Sequence, residues 1–186
     1  MLDSTKQNVV NSLLTLLDEK PMDDITISEL TQMAGISRMT FYRNYSCKED
    51  ILSEHFKDVL KQYKLDMGDE LGKGNYYDKK NIIHCFQYFF EQREFLESVM
   101  KRGFNYIFLS EVDKYVMKIW WKRGDGQKKA YCLHAFAGAL YNLYISWAVN
   151  GYKETPEEMA ELLEAMRLAR YCLLYTSPSP RDSTSS

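Results

Sequence analysis

Between Ile25 and Leu52 the chain reads ITISELTQMAGISRMTFYRNYSCKEDIL, and helix start and stop signals follow one another so closely that few backbone paths remain. Thr26 and Glu29 have the T-x-x-E spacing of a capping box, in which the hydroxyl accepts from a free backbone N–H and the carboxylate reaches back to the N-cap amide. A helix from Ile27 to about Met33 is expected to follow. Ala34-Gly35 ends it, because glycine takes the left-handed conformation of a helix C-terminus at little steric cost. Ser37 can cap a second helix, Arg38 to about Tyr45, and Ser46 with Glu49 repeats the box spacing to open a third.

Apolar spacing tells which face of each helix looks inward. Ile27, Leu30 and Ala34 share one stripe of the first helix, and Phe41 and Tyr45, four apart, mark the inner face of the second. Arg38, Met39, Thr40, Tyr42, Arg43 and Asn44 are left outside, and no carboxylate occurs from Leu30 to Cys47. Lys48 adds a cation beside the next helix N-terminus, where it opposes the helix dipole and an external anion such as a phosphate would be welcome. This is the layout of a helix-turn-helix presenting a basic, hydrogen-bonding surface.

These residues resemble the DNA-binding region of TetR-type (TetR/AcrR, tetracycline-repressor-like) bacterial regulators. The resemblance is close in T-F-Y-R-N-Y, Thr40 to Tyr45, and in Lys48, and covers roughly Val9 to Phe56. It implies that Tyr42, Asn44 and Lys48 contact phosphates, that Ser37, Arg38, Thr40 and Arg43 face bases or backbone of double-stranded DNA, and that Phe41 and Tyr45 are core. Thr31 departs from the alanine usual in the family, and its extra hydroxyl needs a partner.

Charge adds a constraint. Before Gly68 there are eight Lys and Arg against eleven Asp and Glu, so this part of the chain is net acidic, and the whole carries a formal charge of −2. Non-specific affinity comes mainly from phosphate neutralisation, so weak non-specific binding and reliance on a local patch in a dimer are expected. Cys47, Cys85, Cys132 and Cys172 form no C-x-x-C pair, and no secretory signal is evident, which points to a reducing cytoplasm and, for a DNA binder, the nucleoid. His84-Cys85 and Cys132-x-His134 are spaced so that neither pair chelates easily on a helix, so no metal is expected. Cys132 to Val149 is apolar enough to raise a membrane span, but His134, Asn142 and Ser146 interrupt it and a buried bundle helix is the simpler reading. No phosphate-cradling glycine loop or nucleophile elbow is present, so no enzyme activity and no cofactor are expected.

Elsewhere the period is helical throughout, with no strand-period segment competing. Val10, Leu13, Leu14 and Leu17 give a first helix ending near Glu19-Lys20 before Pro21, and Leu52, Phe56, Val59, Leu60 and Tyr63 give a fourth running toward Asp66. Gly68, Gly72 and Gly74 then break the pattern. Beyond them helices are expected over Tyr77–Gln92, Glu94–Lys101, Phe104–Lys122, Lys128–Asn150 and Pro156 to about Leu173, the last behind Thr155 as cap. The expected division is a DNA-binding head over 1–66, an effector-binding and dimerisation unit over 67–175, and a tail over 176–186. The tail's TSPSPRDSTSS has no apolar anchor and resembles translated sequencing-adapter read-through, in which case the true C-terminus is missing from somewhere near Cys172 onward.

The expected fold is all-α: a three-helix helix-turn-helix head followed by a helical ligand-binding and dimerisation bundle. Ile83, Phe86, Phe90, Met100, Phe104, Ile107, Phe108, Tyr115, Ile119 and Trp120 supply more aromatic and apolar surface than such a bundle needs, and plain core explains each of them equally well. In TetR-like proteins this region encloses a small-molecule pocket, so an apolar or aromatic effector is implied, without pocket residues being assignable. Ala135, Gly138, Ala139, Asn142 and Ser146 form a small-residue stripe opposite Leu133, Phe136, Leu140, Tyr144 and Trp147, so the helix needs partners on both sides. The resemblance implies that the last two helices meet their copies in a homodimer. G-A-L-Y-N-L-Y-I-S-W-A-V-N-G followed by T-P-E-E-M is loosely similar to the branch that regulates dihydroxyacetone kinase genes. The functional expectation is a dimeric regulator on a palindromic operator, a repressor released by an effector. The alternative is a TetR-like co-regulator or cell-division factor that works through protein partners.

Overall fold

A computed structural model of the chain describes residues 4–68 and 71–175, the side chains from 167 onward excepted; the 176–186 tail lies outside the described residues. Among the described residues every regular element is helical: α1 Ser4–Glu19, a 3-10 turn Met22–Asp24, α2 Ile27–Met33, α3 Arg38–Asn44, α4 Glu49–Met67, α5 Lys79–Glu91, α6 Arg93–Lys101, α7 Asn105–Trp120, α8 Gln127–Val149 and α9 Pro156–Tyr175. The 3-10 turn after Pro21 is an addition to the expected pattern, and the remaining boundaries fall within a few residues of the sequence reading.

Leu13 and Leu16 of α1, Leu30 of α2 and Phe41 of α3 are all at most 1% exposed and close one small core with Ile51 and Leu52 of α4. Burying a side chain of this size stabilises by about 1.5–3 kcal/mol, so Phe41 and Leu30 are what fixes α3 against its neighbours. The core is continuous into the rest of the chain through α4. Phe56 of α4 stacks on Phe108 of α7 with ring centroids 5.3 Å apart and planes 12° from parallel, and it also meets Phe95 of α6 at 5.0 Å. Beyond that junction α7 packs along α8, and α5 along α9.

The glycine-rich stretch after α4 is less of a break than its composition suggests. Gly68 has a positive φ of 55° and ends α4, but Tyr76 and Tyr77 lay their rings 5.0 and 4.8 Å from Phe136 of α8. The connection is tied down by two aromatic anchors.

α8 has two faces. Leu133, Phe136, Ala137, Tyr141, Tyr144 and Trp147 are buried, while Ala135, Asn142 and Ser146 are exposed and Gly138 is half-buried with nothing within 4 Å of where a Cβ would stand. Val149 is 77% exposed, and on α9 Leu162 and Met166 are 48% and 56% exposed. The small-residue stripe thus lies on an open surface beside exposed apolar groups. No described helix is long and apolar enough to cross a membrane.

Candidate nucleic-acid interface

The turn between α2 and α3 is built by backbone bonds that only glycine makes cheap. Gly35 sits at φ 68°, its N–H donates to Gln32 O at 3.2 Å and the N–H of Ile36 donates to Thr31 O at 3.0 Å, the paired bonds of a Schellman stop. Ile36 then packs inward and Ser37 opens α3, its Oγ accepting from the Thr40 N–H at 3.0 Å. Thr31, whose hydroxyl needed a partner, finds one in its own helix: Oγ1 donates to Ser28 O at 3.1 Å.

The expected capping boxes form differently from their spacing. Thr26 Oγ1 accepts from the Glu29 N–H at 3.2 Å, but the Glu29 carboxylate turns away to Lys20 at the end of α1, 2.7 Å off, and that ammonium holds the Glu29 carboxyl below its usual range. Half of the box is exchanged for a tie between α1 and α2. At Ser46 the box does not form. Asp50, one residue after the expected Glu49, accepts from the N–H groups of Ser46 at 2.8 Å and Cys47 at 3.3 Å, which lowers its own pKa, while Lys48 is the N-cap of α4 without a side-chain cap bond. A carboxylate reaches two free amides from that position, where a serine hydroxyl satisfies one. The complete reciprocal box is at α9, where Thr155 and Glu158 exchange bonds of 3.2 and 2.7 Å.

On α3, Phe41 is fully buried and Tyr45 is 6% exposed, so the opposite face is displayed. Ser37, Arg38, Met39, Tyr42, Arg43 and Asn44 are exposed and Thr40 is half-buried. The rings of Tyr42 and Phe41 meet edge to face with centroids 5.3 Å apart, while Tyr42 remains 56% exposed. Asn44 spends one donor on Thr40 O at 2.7 Å, and the hydroxyls of Ser37 and Thr40 lie 3.0 Å apart. Arg38 and Arg43 carry no ion pair among the described residues. Seven side chains singled out from sequence, Ser37, Arg38, Thr40, Tyr42, Arg43, Asn44 and Lys48, therefore divide into six on one short helix and its cap, and one at the start of α4.

Lys48 differs from the rest. Its Nζ donates to Ile25 O at 2.7 Å and to Met22 O, so its charge is engaged by two carbonyls of the turn before α2. The cation that opposes the α4 dipole is offset from inside the protein, and a single N–H remains for an outside anion. The long-range placement of Met22 and Ile25 beside Lys48, more than twenty residues away, is what the sequence did not reveal.

The body holds two small voids, each partly open to the surface. One of about 60 Å³ lies among α4, α5, α7 and α8, and a second of about 30 Å³ adjoins it, sharing Cys85, Phe89, Val112 and Leu140. Of the residues noted for their apolar surface, Tyr115 and Trp120 line the first and Phe86 and Phe108 the second. The Tyr115 hydroxyl is buried with no hydrogen-bond partner, and burial pushes the Cys85 thiol up to about 12, which keeps it unreactive at neutral pH. His84 Nε2 faces Asp66 and His134 Nδ1 faces Asp113, each at 2.6 Å, so both imidazoles have carboxylate partners.

Residues 78–168 match the TetR-class family model described as "Transcriptional regulator C-terminal region". Over that segment, just under half of its length, the chain is similar to the C-terminal regions of TetR-type transcriptional regulators. An HTH-type transcriptional regulator of Bacillus subtilis (strain 168), YxbF, is 27% identical over 117 residues, or 60% of this chain. That match takes in 30% of the relative's own length. In the solved structures, the dihydroxyacetone kinase operon activator DhaS is 19% identical, with 91% of this chain and 97% of that one covered at a TM-score of 0.50. A TetR transcriptional regulator from Streptococcus agalactiae 2603V is likewise 19% identical, with 87% and 92% covered at a TM-score of 0.56. At these identities the two structures bear on the TetR-like all-α fold.

Proposed function

We propose that the chain is a homodimeric, DNA-binding repressor that holds a palindromic operator through α3 and releases it when a small-molecule effector enters the body. The reading divides the chain into a DNA-binding head, 1–66, and an effector and dimerisation unit, 67–175, acting in the cytoplasm on nucleoid DNA. The observation that carries it is the outer face of α3: Arg38, Tyr42, Arg43 and Asn44 stand exposed, without a carboxylate among them, on a helix whose inner face is clamped by Phe41 and Tyr45. Arg43 and Arg38 supply base-edge or phosphate donors, and Ser37, Thr40, Tyr42, Asn44 and the remaining N–H of Lys48 supply backbone contacts that set register. The exposed stripe of α8 with Leu162 and Met166 of α9 supports pairing with a second copy, because a monomer would leave these apolar groups in water.

Selection of bound fragments from a random double-stranded DNA pool with the full chain tests the reading. The expected product is an inverted repeat whose half-sites lie about one helical turn, 34–36 Å, apart or slightly more. A pool that never enriches above its starting composition overturns DNA reading, and an enriched site without two-fold symmetry overturns the dimer arrangement.

A further inference from the structure

A groove of about 640 Å³ runs over the surface between α4 and α7, and five lysines stand along it: Lys57, Lys61 and Lys64 from α4, Lys114 and Lys118 from α7. The acids nearby are already taken. Glu54 pairs with Lys57 at 2.7 Å, Glu111 with Lys114 at 2.8 Å, and Asp58 with Lys6 at 2.8 Å. Lys61, Lys64 and Lys118 carry no ion pair among the described residues, so the groove holds three uncompensated positive charges. Its floor is apolar and includes Leu60 and Tyr115.

Leu60 and Tyr115 also line the 60 Å³ void, and that void adjoins the 30 Å³ one. Groove and voids therefore form a series, charged at the surface end and free of charged side chains at the inner end. The Tyr115 hydroxyl, buried without a partner, lies on the residue shared by groove and void, where a neutral hydrogen-bonding group pays a desolvation cost for nothing it now contacts.

We propose that the body binds an amphipathic anion, a carboxylate or phosphate on a straight aliphatic chain, with the head on Lys61, Lys64 and Lys118 and the chain running along the apolar floor past Leu60 and Tyr115, its far end entering the first void. This rests on the effector reading above and gives that effector a chemical class. Voids of about 60 and 30 Å³ admit the end of a linear chain and not a fused ring system, and the lysines require a negative head.

Trp120 lines the first void and supplies the readout. Octanoate, octyl phosphate, octanol and acetate are titrated into the full-length protein at fixed ionic strength, with Trp120→Phe identifying the fluorescence change that belongs to the void. Octanoate and octyl phosphate should each bind about tenfold tighter than octanol, since a few partly exposed charge pairs are worth this much together. Acetate, which keeps the charge and lacks the chain, should bind at least about a hundredfold more weakly than octanoate, given about 0.8 kcal/mol per buried methylene. The surface double variant Lys61→Gln/Lys118→Gln should erase most of the preference for octanoate over octanol and leave octanol unchanged. Octanol binding as tightly as octanoate, a preference that survives the double variant, or no Trp120-dependent signal overturns the proposal. Operator release is measured separately. Lysine-dependent octanoate binding that leaves the operator bound upholds this site while removing the effector reading. Release by a neutral compound, unaffected by the lysine variant, upholds the effector reading and overturns this assignment.

Discussion

At the scale of single residues, Arg43 and Lys48 both carry a positive charge into the same region, yet their surroundings assign them different work. Arg43 is exposed in the last turn of α3 and makes no bond inside the protein among the described residues, so its planar fork is free to grip a base edge. Arg43→Lys keeps the charge and loses the bidentate geometry, so preference for the operator over scrambled DNA should fall by about 1–3 kcal/mol while non-specific affinity barely changes. Comparing both affinities at one salt concentration checks this, and an unaltered ratio means that Arg43 holds a phosphate. Lys48, by contrast, donates to Met22 O and Ile25 O and so fastens α4 to the turn before α2. Lys48→Ala should therefore cost folding stability, about 1–3 kcal/mol by urea denaturation, because charge-assisted bonds are lost and the Ile25 carbonyl loses its donor, while Met22 O keeps the Ile25 N–H. It should also weaken binding to all DNA alike and flatten the log–log salt slope by roughly one unit if its third N–H meets a phosphate. Lost stability with an unchanged slope would make Lys48 a purely internal strut.

Among the elements, α4 joins the helix-turn-helix to the bundle, and its buried His55 makes that joint sensitive to acid. The ring lies 4.2 Å from that of Phe95 on α6, and desolvation holds its pKa below the ordinary 6.5, with Asp58 pulling the other way and Lys6 assisting. A histidine kept neutral by folding takes up a proton more readily when unfolded. Its contribution is therefore intact above about pH 6.5 and is lost as the pH falls below that value. The comparison is with His55→Gln: between pH 7.5 and 5.5 the parent should lose more stability than the variant. Equal losses would show that His55 is not what the acid reaches. This joint also marks how far the sequence could be read. Helices with a strong apolar period and a terminal signal, α1, α2, α3 and α9, were legible almost to the residue, since capping and periodicity are local. Glu29 leaving its box for Lys20 and Lys48 closing on Met22 and Ile25 depend on which helices come together, and local spacing carries no trace of that; Asp50 replacing Glu49 as the cap is local, a choice between adjacent carboxylates that the box spacing alone does not make. The outer face of α3 was legible because it is defined by exclusion from the Phe41 and Tyr45 stripe. The groove over α4 and α7 was not, because its lysines lie on helices separated by some fifty residues.

For the molecule as a whole, the open face of α8 allows a test that discriminates between folding and assembly. Nothing lies within 4 Å of where a Cβ would project from Gly138, so Gly138→Leu meets no obstacle within one chain. It should leave the helical content and monomer fold intact and weaken dimerisation at least tenfold by sedimentation equilibrium, since the second copy's backbone could no longer come close. An unaltered dimer constant would mean that the stripe faces solvent in the assembly. The separation of roles on α3 reaches further. Phe41 and Tyr45 carry the anchoring and the displayed residues carry almost none of it, with Met39 84% exposed and Arg38, Arg43 and Asn44 in solvent. Surface substitutions away from such anchors change stability by no more than about 0.5 kcal/mol. Duplicated copies of a gene for this chain can accordingly diverge in the face that α3 displays without passing through unfolded intermediates, and that face can be rewritten at three or four codons while the scaffold beneath it is inherited whole.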